Sequence, residues 1–94
     1  MTNAASLGEL ARIKHDGVQM AVIHNEETGY KTFKWLAQPE HSSYDVRFIL
    51  AGSDNTPVDI LERLAVDEDQ ELDIQDMAHN NWQDHLKKSR GVGG

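Results

Sequence analysis

Apolar and polar residues along the chain fall into short blocks at helical spacing. In SDNTPVDILERLAVDED, residues 53–69, Leu61, Leu64 and Ala65 stand at the i, i+3, i+4 positions of one helical face, and Val58 and Ile60 extend the apolar content. Thr56-Pro57 reads as a helix start. The threonine hydroxyl can cap orphan N–H groups, and proline at the first helical position gives up no needed donor. Asp59 then lies near the positive end of the helix dipole, in the place of a capping-box acid. Asp67, Glu68 and Asp69 would be badly placed at a helix C-terminus, so they read as a turn, with Asp69 near the N-cap of a second helix. That helix is ELDIQDMAH, residues 71–79, with Leu72, Ile74, Met77 and Ala78 expected inside.

The block recurs. Val46, Leu50-Ala51, Leu61 and Leu64-Ala65 match Val18, Val22-Ile23, Phe33 and Leu36-Ala37 without a gap at a displacement of 28 residues. Asp73, 27 residues after Val46, brings Met77-Ala78 into the same frame, and Leu7 and Leu10-Ala11 reproduce the Leu61, Leu64-Ala65 triplet. Self-similarity with a period near 27 predicts stacked helical units. The pattern predicts seven short helices, at residues 6–13, 18–25, 30–37, 43–52, 57–66, 71–79 and 82–90, in a single helical-repeat domain over residues 1–90, followed by a flexible glycine tail at 91–94. The fold class is therefore all-α. The alternative is α+β, because VQMAVIH and KTFKWL favour strands and a glycine-containing loop joins them, which would make a β-hairpin of residues 18–36.

VRFILAGSDNTPVDILERLAVDED resembles one unit of the leucine-rich repeat variant, a HEAT-like family of short helical repeats. The match is carried by Val46, Arg47, Ala51, Asn55, Thr56, Pro57, Leu61, Leu64, Ala65, Asp67 and Asp69. The flanking units match loosely: NEETGYKTF replaces the Asn-Thr-Pro turn in the first, and the last is truncated. The resemblance implies a small right-handed α-solenoid of about three repeats with no catalytic activity of its own. The iron–sulfur role of some relatives needs cysteines, and this chain has none.

Charge refines the picture. The formal net charge of −7 is concentrated: residues 38–75 carry −8, residues 1–37 sum to zero and residues 76–94 to +1. Coulomb repulsion argues against direct binding to nucleic acid and leaves room for a basic protein partner. No apolar stretch approaches the roughly 20 residues of a membrane span. With zero cysteines there is no disulfide or thiolate site, and a cytoplasmic protein is expected.

Candidate chemistry is sparse. His15, His24, His41, His79 and His85 show no metal-ligand spacing, and His24 and His79 are expected at helix ends. DEDQELD, residues 67–73, alternates carboxylates like a calcium loop, but Leu72 and Ala78 stand where its glycine and final glutamate belong. His41, Ser42, Ser43 and Asp45 cluster only in sequence, whereas a catalytic triad is assembled from separate segments. No catalytic, metal or cofactor residue is assigned. The expectation is a non-enzymatic interaction module whose contact residues are Trp35, Arg47, Asp59, Glu62, Arg63, Asp67, Glu68 and Asp69, with Trp82 closing the core at the C-terminal end. An alternative is an acidic nucleic-acid mimic that occupies the basic groove of a nucleic-acid-binding protein, using Asp59, Glu62, Asp67, Glu68, Asp73 and Asp76. Self-pairing through apolar end units is a third alternative.

Overall fold

The computed structural model describes residues 4–89, and over these the chain is helical throughout. Its elements are α1 (Ala4–Ala11), α2 (Asp16–Ile23), α3 (Tyr30–Leu36), α4 (Tyr44–Gly52), α5 (Val58–Val66) and α6 (Leu72–Ser89). The hairpin alternative is overturned: residues 18–36 hold most of α2, a turn and α3. Val22, Ile23, Phe33 and Leu36 are buried at helical spacing, and period-3.6 burial outweighs the strand preference of the same residues. The expected tail at 91–94 lies outside the described residues.

Alternate helices pack side by side, α2 against α4 and α4 against α6 in one row, with α1 against α3 in the other. Rungs α1–α2, α3–α4 and α5–α6 join the rows. The body measures 41 × 32 × 18 Å, and its thin dimension matches two helical layers. Between the rows lie Leu7, Ala11, Val22, Ile23, Phe33, Leu36, Val46, Leu50, Ala51, Ile60, Leu61, Leu64, Ile74 and Ala78.

The turns repeat at atomic detail. The Thr28 hydroxyl donates to the Val22 carbonyl at 2.5 Å, and 28 residues on the Thr56 hydroxyl donates to Leu50 at 2.6 Å. The Asn25 side chain accepts from the Glu27 N–H at 2.9 Å, as Ser53 does from Asn55 at 3.2 Å. His15 Nδ1 caps α2 by accepting from Val18 at 3.3 Å, and the Ser43 hydroxyl caps α4 by accepting from Val46 at 3.4 Å. At the next equivalent place the Gln75 N–H donates to Glu71, as Arg47 does to Ser43 and Gln19 to His15. The displacement is thus 28 again, which corrects the expected 27: Ile74, not Asp73, stands in the frame of Val46.

Three further corrections concern the turns and the last helix. Thr56 is not the N-cap of α5. Pro57 holds that position with no side-chain cap, and the threonine hydroxyl serves the end of α4 instead. The acidic turn is closed by Asp67, which accepts from the Asp69 N–H at 2.9 Å. Helix α6 begins at Leu72, so Asp69, expected near its N-cap, lies two residues before Glu71, which precedes the helix. The two expected terminal helices are one, and His79 lies inside it rather than at an end. His85 stands where the other units have Gly29 and Pro57, and no proline or glycine interrupts residues 80–85, so α6 continues. Trp82 is half-buried against the core, with His79 edge-on to it at 5.9 Å.

Each unit also seals the one before it. Asn55 donates to the Ile23 carbonyl at the end of α2, and Asn81 to Ala51 and Ser53 at the end of α4. Orphan carbonyls at those helix ends thereby find partners.

Candidate interaction surface

Arg47 and Gln70 anchor the middle of the fold. Arg47 is buried, donating through Nε to the Ser42 carbonyl at 3.1 Å and through Nη1 to Gln70 Oε1 at 2.7 Å and Glu71 Oε1 at 2.8 Å. Gln70 in turn donates to the Ala37 carbonyl at 2.8 Å. The guanidinium therefore joins α4 to the end of α3 and the start of α6. Arg47 was expected on the contact surface; it lies beneath it, because the turn between α3 and α4 leaves the Ser42 carbonyl buried and the guanidinium supplies its donor. Gln19, 28 residues earlier, does the same work from α2, donating to the Ala11 and His41 carbonyls.

Glu71 is the partly exposed end of this network, its side chain 47% accessible. The hydrogen bond from Arg47, then one from backbone, holds its carboxyl below the ordinary value of 4.5. A carboxyl lowered on folding stabilises the fold fully above its unfolded pKa, and that contribution fades as pH falls through the lower folded value. Urea midpoints measured down the acid limb are expected to fall more steeply for the native chain than for Glu71→Gln. Equal slopes for the two would remove Glu71 from the acid response.

The remaining expected contact residues divide. Asp59, Glu62 and Arg63 are exposed and share a cleft with Tyr30 and Val66. Asp67 and Asp69 border a neighbouring groove of 260 Å³ with Lys34, Arg63 and Glu40. Asp67 is half-buried by its turn, while Glu68 and Asp69 are exposed. Trp35 is half-buried, stacked on His41 with centroids 4.1 Å apart and planes 11° from parallel, and stands apart from Arg63 on the α1 side beside Arg12 and Lys31. Of the expected set, the structure thus groups Asp59, Glu62 and Arg63, sets Asp67 and Asp69 beside Arg63, and withdraws Arg47.

Tyrosines lock helix starts together. Tyr44 donates to Asp73 at 3.0 Å, and Tyr30 bonds Asp59 in the corresponding way. These bonds, made to carboxylates, raise both phenol pKa values above the ordinary 10.0. The sequence reading missed Tyr30, Val66 and Leu72 as surface features. Val66 is 71% and Leu72 75% exposed. Val66 stands seven residues after Asp59, on the same stripe of α5, and that spacing was the available signal.

Among the described residues no three His, Asp or Glu side chains group closely enough to hold a metal ion. None of the described helices is long and apolar enough to cross a membrane. Comparison with protein-family models, curated proteins and solved structures finds no match to this chain.

Proposed function

We propose that the chain is a non-enzymatic interaction module, a small right-handed α-solenoid of about three repeats of the leucine-rich repeat variant type, which binds a protein partner through the outer side of α3 and α5. The observation that carries this reading is the exposed strip of Asp59, Glu62, Arg63 and Val66 along α5, with Tyr30 beside it. It combines a large uncovered apolar side chain with charges that make no ion pair within the described chain. Hydrogen bonds recurring every 28 residues support the repeat part of the proposal. The mimic alternative has weaker support, since Asp59 and Glu62 adjoin α3 while Asp73 adjoins Tyr44 in the other row, and a mimic needs one continuous file of acids.

Capture from a lysate of the native host tests this, with wild type beside a variant carrying Asp59→Asn, Glu62→Gln, Glu68→Gln and Asp69→Asn. Asp67 is kept because it shapes the turn. A protein retained by wild type and lost by the variant supports the α5 face as the contact surface. Equal retention by both moves the contact elsewhere.

A further inference from the structure

Helices α3 and α5 are neighbours across a groove lined by Lys34, Ala37, Ile60, Arg63 and Leu64, and the bond between Tyr30 and Asp59 sets their starts together. Their second and fifth residues are exposed and opposite in charge: Lys31 and Lys34 on α3, Asp59 and Glu62 on α5. Each lysine is displaced from its acidic counterpart by 28 residues, so the two rows occupy equivalent positions. Among the described residues the one ion pair is Arg47–Glu71, so these four charges are not paired with one another within the chain.

A face that carries a cationic row beside an equivalent anionic row is complementary to itself after a two-fold rotation about an axis between them. We propose that this face pairs with the same face of a second copy, as a symmetric dimer. The axis runs along the groove, parallel to both helices, and the rotation lays α3 parallel over α5 of the partner subunit. Lys31 then meets Asp59 of the partner subunit, and Lys34 meets Glu62 of the partner subunit. Both rows have a three-residue spacing, about 4.5 Å along a helix, so the two pairs form in one register. The rotation repeats both pairs. Val66, uncovered in the single chain, lies on the same stripe of α5 and is covered in the pair. At about 0.15 M salt the long-range repulsion between two chains of charge −7 is screened beyond about 8 Å, while contact pairs persist.

The inference rests on reading α3 and α5 as the contact face and names the partner as a second copy. Sedimentation equilibrium at about 100 μM chain and about 0.15 M salt tests it. Wild type is expected at twice the chain mass of 10.6 kDa. The variants Lys31→Glu/Lys34→Glu and Asp59→Lys/Glu62→Lys should each associate at least about a hundredfold more weakly. An equimolar mixture of the two should regain the dimer, because each row then meets its opposite, and so should the chain carrying all four changes. A monomeric wild type overturns the proposal. So does a mixture that stays monomeric while both variants keep native helical circular dichroism. If a reversed variant loses its helicity, Lys31→Gln/Lys34→Gln replaces it, with association expected to weaken about tenfold, and unchanged association overturns the proposal. A monomer that still captures a host protein through Asp59 and Glu62 keeps the broader interaction reading and discards only self-pairing.

Discussion

Arg47→Ala is expected to lower the unfolding free energy by about 3 kcal/mol, the usual cost of removing one member of a buried charged network. For a domain of this size that is a fall of roughly 15 °C in Tm. The loss arises chiefly at Gln70 Oε1 and the Ser42 carbonyl, both left without their donor inside the protein. The ion pair itself contributes less, since Glu71 is half in water. Glu71→Gln, which keeps an acceptor at that place, is therefore expected to cost under about 1 kcal/mol. Thermal unfolding followed by circular dichroism ranks the two. Equal losses would assign the stability to the surface pair and refute the buried-donor account.

The second large effect lies in the apolar layer. Leu64 is 1% exposed between α5 and its neighbours, and Leu64→Ala should cost about 3 to 4 kcal/mol through lost transfer energy and the cavity left behind. Leu72, 75% exposed, should tolerate alanine within about 0.5 kcal/mol. Urea midpoints of the two variants check the rotational setting of α5 and α6 together. A loss above about 1.5 kcal/mol at Leu72 would mean that α6 is turned the other way.

Leu72 also shows where the sequence stopped being readable. Its expected burial followed from its apolar side chain within ELDIQDMAH, with no frame to set the rotation of the helix. The 28-residue frame aligns Ile74 with buried Val46 and Leu72 with exposed Tyr44, so only Leu72 of the expected set falls outside. The apolar stripes of α2, α3, α4 and α5 were legible because their alternation repeats without a gap, and one element checks another. The fate of Thr56 was not legible. A threonine before proline suits a helix start on local grounds, and only the folded chain brings its hydroxyl to Leu50. Arg47 was hidden in a similar way: a charged side chain reads as surface until the carbonyls of neighbouring turns are seen to need it. Of the surface strip, the charges Asp59, Glu62 and Arg63 could be read from spacing, whereas the proximity of Tyr30 depends on α3 lying beside α5.

The asparagine seals set an order on the growing chain. Ile23 at the end of α2 receives its bond from Asn55, and Ala51 at the end of α4 from Asn81, so each helix end is completed by residues made about thirty positions later. During synthesis the first pair of helices therefore stays provisional until the second emerges, and the second until α6 does. Stability arrives in instalments from the N-terminus, and a chain stopped before Asn81 leaves the Ala51 carbonyl at the end of α4 without that donor.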